Sequence, residues 1–191
     1  MVIEPPDTAT TLVLRTVDGG PPELTVMGPS TRAGYFVPAP GVSCRKLRLR
    51  PGQALEGRSA RDLVDQVMPL GEDPRLTGNE LVFEAAQTLS RGESVRSTAL
   101  ALNVSERHLR SLFTRSVGLS PKQFVRIDRV RAVLAGARER SWAQLAAELG
   151  YYDQSHLTAE FREVMGVPPG AFFAGRLPEP SGCARTWTSG S

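Results

Sequence analysis

A stretch of the C-terminal half occurs twice, and this repeat limits the folds open to the chain more than any other feature. His108, Leu109, Phe113, Gly118, Pro121 and Phe124 return 48 positions on as His156, Leu157, Phe161, Gly166, Pro169 and Phe172. The two histidines of the 191-residue sequence hold equivalent places. Ala99 answers to Ala146, 47 positions on, so the second copy carries one more residue between. A stacked repeat array needs at least about three units to bury its faces. Two copies fit a duplicated small domain instead.

Each copy reads as helix, tight turn, helix. Ser94 suits an N-cap, because its side-chain oxygen can take a free N–H of the first turn. Val95, Ala99 and Leu102 follow as an i, i+4, i+7 apolar stripe. Asn103 tolerates the left-handed backbone on which many helices end. Ser105 then caps a second helix with Leu109, Leu112 and Phe113 on one face. In the second copy Ser141 and Gln144 have the capping-box spacing. Leu145, Ala146 and Leu149 supply the stripe, Gly150 breaks the helix, and Asp153 caps the next one. Between the copies, Ser120-Pro121 begins a linking helix. It is expected to run to about Ala137 and to bury Phe124, Ile127, Val130 and Leu134. An earlier helix over Leu81–Leu89 is read as the first of the same domain.

Charge follows this division. Residues 1–92 carry 10 basic and 11 acidic side chains, and residues 93–176 carry 12 and 8. The basic surplus thus sits in the repeated segment, as expected of a surface that meets phosphates. The segment from about 93 to 174 resembles the DNA-binding domain of the AraC/XylS family of transcription regulators. The resemblance rests on Gly150-Tyr151-x-Asp153-Gln154-Ser155-His156, on Phe161, and on Gly166-Val167-Pro168-Pro169, with both helix-turn-helix units and the linking helix present. It implies a sequence-specific regulator with recognition helices at about 105–116 and 153–165.

In such a unit the second helix enters the major groove and turns its N-terminal residues to the base edges. With Leu109, Leu112 and Phe113 inward, Arg107, Arg110, Ser111 and Thr114 share the opposite face. The arginines suit guanine, whose O6 and N7 accept a guanidinium in two places. The second face comprises Ser155, Thr158, Ala159 and Arg162, with Gln154 near the helix start. Gln pairs with adenine, and Thr and Ala methyls meet the thymine methyl. A G-containing first box and an A/T-leaning second box are therefore expected. The resemblance implies an arginine in many relatives where this chain has Ala159, which leaves the second face sparse. A linking helix of about 17 residues spans roughly 25 Å, so one chain can serve a bipartite, non-palindromic site. Lys122, Arg126, Arg129 and Arg131 are read as solvated, with phosphate contact as the alternative, and Arg115 stays undecided between the two.

The partners expected are double-stranded DNA and no membrane. RNA polymerase, an unidentified small-molecule effector and a second copy of the chain stay open. No cofactor, metal site or catalytic residue is expected. The histidines are separated by a whole helix, without a supporting Cys or carboxylate cluster. They are read as hydrogen-bonded packing groups within each unit, with phosphate contact as the alternative. Trp142 is read as core. An alkylation-repair enzyme built on the same module is the enzymatic alternative, but relatives of that kind use a four-cysteine zinc site. Cys44 and Cys183, far apart, do not supply one. A protein-interaction role is the other alternative. No run approaches the roughly 18 apolar residues that span a bilayer and no export signal is visible, so a cytoplasmic protein with reduced thiols is expected.

The fold class expected is α+β. A small β-rich N-terminal region, 1–72, resembles the sensor-like region of some AraC-type regulators. An all-α domain of two joined helix-turn-helix units follows over 73–176, then a disordered tail over 177–191. Strands are expected at 10–17, 23–28, 33–38 and 42–50, where apolar residues alternate between Gly/Pro turns. A short helix is expected from Ser59 and Asp62 with Leu63, Val64 and Val67 inward, and Cys44 is read as buried strand packing.

Overall fold

Alternation decides the N-terminal half. The computed structural model describes residues 1–55 and 76–181. Its strands are β1 (Val2–Glu4), β2 (Thr11–Val17), β3 (Glu23–Met27), β4 (Gly34–Phe36), β5 (Val42–Arg48), β6 (Gln53–Leu55) and β7 (Leu76–Gly78). The described strands pair antiparallel: β2 lies between β3 and β5, β1 pairs with β4, and β6 with β7. Register sorts the side chains of the three-stranded sheet. Val13 stands opposite Thr25 and Lys46, and Arg15 opposite Cys44, on one face. Leu12 and Leu14 fall on the other, where they pack with Leu24, Leu47 and Leu49. The four expected strands are present. The three-residue strands β1, β6 and β7 are too short to show alternation.

The helices are α1 (Glu80–Ser90), α2 (Val95–Ala101), α3 (Glu106–Val117), α4 (Pro121–Gly136), α5 (Trp142–Glu148), α6 (Gln154–Met165) and α7 (Pro169–Phe173). Among the described residues each expected cap is formed. Ser94, Ser105 and Asp153 accept the N–H groups of Ser97, His108 and His156, while Ser120 and Ser141 make full capping boxes with Gln123 and Gln144. Such caps are each worth about 1 kcal/mol. They place the helix starts.

Two apolar cores share α4. Val82, Leu89, Leu109, Phe113, Phe124 and Ile127 belong to the first, and Val130, Val133, Leu145, Leu157, Phe161 and Met165 to the second. The α+β reading holds. One core residue differs: Val133 is fully buried, whereas Leu134 is only partly so. At 100° per residue both flank the stripe through Val130, and the placement of the second unit decides between them.

Cys44 is exposed rather than buried, because its face of the sheet borders an open cavity and not the leucine cluster. The tail also begins otherwise than expected. Pro178 sits over Gly166, and Ser181 donates to the Tyr35 carbonyl at 3.2 Å. Cys183, the rest of the tail, the helix expected from Ser59 and the division at 72 lie outside the described residues.

Candidate nucleic-acid interface

The two turns are built alike. Asn103 (φ 55°) and Gly150 (φ 70°) adopt the left-handed backbone. Directly after them, the Val104 N–H binds the Ala99 carbonyl at 3.0 Å and the Tyr151 N–H binds the Ala146 carbonyl at 2.9 Å. Equivalent residues thus close both turns. The extra residue of the second copy is Tyr152, 94% exposed at the entrance to α6.

On α3 the residues singled out by periodicity stand together. Arg107, Arg110, Ser111 and Thr114 are exposed and, with Arg115, line one shallow depression. Arg110 pairs with Glu106 at 3.2 Å and Arg115 donates to the Ser111 hydroxyl at 2.8 Å. Both contacts are solvent-exposed and worth little, so a stronger acceptor can displace them. Arg107 makes no ion pair among the described residues. The surface is cationic, open and free to rearrange.

The α6 face is different. Gln154, Ser155, Ala159 and Arg162 are exposed, but Thr158 is half-buried and its hydroxyl donates to the Gln154 carbonyl at 2.9 Å. Thr158 therefore offers its methyl group rather than a free donor. This face carries one cation where α3 carries three.

Three linking-helix arginines are half-buried and bound to acceptors within the protein. Arg129 donates to both Glu160 oxygens at 2.8 and 3.0 Å, and its guanidinium lies 4.5 Å over the Tyr151 ring. Arg126 is ion-paired with Glu163 and reaches Glu160 at 3.8 Å. Arg131 donates to the Pro6 carbonyl at 2.8 Å and faces Asp7 at 3.6 Å. Lys122 is exposed. The missed residue is Glu160, which stands where the first copy has Leu112. An acid at a half-buried repeat position, near Arg126 and Arg129 at i, i+3, was the available signal.

Electrostatics follow from this network. Burial, and next the Glu160 carboxylate, push the Tyr151 phenol well above its ordinary value. Its buried hydroxyl faces that carboxylate without a hydrogen bond of normal geometry. The Arg126 hydrogen bond holds the Glu163 carboxyl below its usual range. The histidines are exposed rather than packed in. Only His156 keeps part of the expected role: its ring meets Tyr151 edge-on at 5.3 Å, and its Nδ1 accepts the Tyr152 N–H at 3.4 Å. Trp142 is partly buried against the second core and lies 5.5 Å from Phe173.

Comparison with known proteins adds a match over the helical half. Residues 98–175 match the family described as "Helix-turn-helix domain". Two solved structures resemble the chain. One is the C-terminal domain of AraT, a response regulator from Geobacillus stearothermophilus, 21% identical over 59% of this chain and 94% of that one, with a TM-score of 0.46. The other is the DNA-binding domain of AdpA, the global transcriptional factor, in complex with a target DNA. It is 24% identical over 50% of this chain and 88% of that one, with a TM-score of 0.45. No curated protein matches. Over residues 98–175 the chain is thus similar to a helix-turn-helix domain.

Proposed function

We propose that this protein is a transcription regulator that reads a bipartite, non-palindromic site on double-stranded DNA, with α3 and α6 in successive major-groove segments. The duplicated turn carries the reading: one backbone closure, twice, sets a capped helix behind a left-handed residue and leaves its polar side outward. The 16 residues of α4 span roughly 24 Å, a length compatible with two helices about one turn of duplex apart. Arg107 and Arg110 are the base readers of the first box, with Ser111 and Thr114 beside them. Gln154, Ser155, Thr158, Ala159 and Arg162 serve the second, more weakly.

On this reading the helical domain opens before α1, which shares the first core, and the β-rich region precedes it. A cytoplasmic location follows from contact with DNA. An effector, RNA polymerase and a second copy of the chain are further partners in the proposal. The sparse α6 face favours one competing role, in which that unit docks on protein rather than on bases.

Selection of bound sequences from a random duplex pool tests the proposal. One enriched motif with two boxes is expected. Arg107→Ala and Arg110→Ala are each expected to cost about 1–3 kcal/mol and to relax one position of the first box. Affinity should fall with salt at a slope of roughly −0.9 per phosphate contact. No enriched motif, or unchanged binding by both variants, would refute it. A motif with only the first box would assign the α6 unit to protein contact.

A further inference from the structure

We propose that Glu106 selects a second base of the first box, a cytosine, beside the guanine taken by Arg110. Glu106 is the first residue of α3, directly behind the Ser105 cap. Its place in the repeat is that of Gln154, 48 positions on. Gln154 opens α6, is exposed, and belongs to the face proposed above to meet bases. The repeat thus sets the Glu106 carboxylate at the same edge of the first face. The inference rests on that DNA reading and deepens it.

The pair already stands side by side. Glu106 Oε2 accepts from Arg110 Nη2 at 3.2 Å, with 43% of the Glu106 side chain and 55% of the Arg110 side chain exposed. Residues four apart are neighbours on a helix surface, so an acceptor and a donor reach outward together. Guanine displaces the carboxylate from Arg110, because its O6 and N7 take two N–H groups at once. The carboxylate, which can only accept, then needs a donor of its own.

Only one base suits it. Cytosine offers its N4 amino group to the major groove with no acceptor beside it. Adenine sets the N7 acceptor next to its N6 amino group, and guanine and thymine present acceptors there without a donor. Phosphates repel a carboxylate as well. Glu106 therefore weakens binding to every sequence, and least where the cytosine stands, which is how repulsion produces specificity.

The test selects bound duplexes from a random pool with the full native chain, Glu106→Gln and Glu106→Ala. Affinity for the selected site and for an unrelated duplex is then measured at one salt concentration. The native first box is expected to carry a cytosine next to a guanine and to favour it about fivefold or more over other bases. Glu106→Gln is expected to turn that cytosine into adenine, since a carboxamide accepts from N6 and donates to N7. Glu106→Ala is expected to lose the preference there and keep the guanine. Both variants should bind the unrelated duplex about twofold or more tightly, because a charge facing phosphates is gone. A carboxylate that only favours the helix N-terminus would lower the melting temperature and leave the motif intact. That result, a native first box without the cytosine, or unrelated-duplex affinity that rises in neither variant overturns the proposal while the DNA reading stands. No motif from the native chain overturns both.

Discussion

Replacing Glu160 by alanine tests whether the second unit is held by charge. The Glu160 side chain is 10% exposed, accepts two N–H groups from Arg129 at 2.8 and 3.0 Å, and faces Arg126 at 3.8 Å. Breaking a buried pair from one side costs about 3–5 kcal/mol, because the remaining charge stays desolvated. Here Arg126 and Arg129 keep 29% and 25% of their side-chain surface in water. They can rehydrate in part, which brings the expected cost down to about 2–3 kcal/mol. Glu160→Gln keeps the shape and one acceptor, and should cost about 1–2 kcal/mol. Urea unfolding at neutral pH measures the loss, and amide exchange locates it in α6 rather than α3. The first copy suggests the rescue: it has Leu112 at this place, packed on an apolar bed. Arg129→Met with Glu160→Leu should therefore recover most of the loss, since a buried pair replaced by apolar groups is often neutral or stabilising. A cost below about 0.5 kcal/mol for Glu160→Ala would put the pair among solvated surface contacts and refute the argument.

Three further outcomes are expected. Tyr151→Phe removes a buried hydroxyl that lacks a normal hydrogen bond, so at neutral pH it should be neutral or stabilising by up to about 1 kcal/mol. Tyr151 is held above its ordinary pKa of 10.0 in the fold, so its contribution is complete below pH 10.0 and declines above it as the unfolded chain ionises. Denaturation across pH 9 to 11, roughly one unit either side of the ordinary tyrosine value, should show a steeper decline in the native protein than in Tyr151→Phe; parallel curves would contradict the burial. Gly150→Ala meets no atom within 4 Å but must keep φ at +70°. It should cost about 1–2 kcal/mol by thermal melting, and Gly150→Asn should cost less because the first unit uses Asn103 there. Tyr35→Phe leaves the Met165 carbonyl without its 2.6 Å donor, which should cost about 1 kcal/mol and raise amide exchange in the last turn of α6. Unchanged exchange there would mean that the sheet does not hold the helix.

Local hydrogen bonding was readable in the sequence, and contacts between distant segments were not. Ser94, Ser105, Ser120, Ser141 and Asp153 each bind an N–H three residues on, so four residues contain the whole cause. The left-handed turn at Asn103 and the outward side of α3 follow from equally short patterns. Val133 and Leu134 could not be ranked, since their difference depends on where α5 and α6 pack. Arg126, Arg129 and Arg131 looked like solvent-facing charges because their acceptors, Glu160, Glu163 and Pro6, lie on other elements. Cys44 has the pattern of a strand interior, but its side of the sheet encloses space instead of packing. Tyr35 binds a carbonyl 130 residues away, a separation at which no window of sequence carries a signal.

Helices α3 and α6 are held unequally, and in the opposite sense to their charge. Both end on a left-handed glycine, Gly118 and Gly166, and each glycine is covered by a proline from outside the helical repeat, Pro29 and Pro178. Beyond this α6 has much more. Its closing carbonyls at Val164 and Met165 take the Ala33 N–H at 2.9 Å and the Tyr35 hydroxyl at 2.6 Å, satisfying groups that every helix end leaves open. Glu160 ties its middle to α4, and Arg131 ties α4 in turn to the strand-bearing half through Pro6 and Asp7. By contrast α3 rests on an apolar core and keeps its cations outward. On the reading proposed above, this divides the work. The first unit brings attraction, through arginines whose present contacts are weak. The second brings position, with a nearly neutral face held at its far end by the sheets. All of these restraints act at the middle or C-terminal turn of α6, so its N-terminal turn, with Gln154 and Ser155, stays exposed.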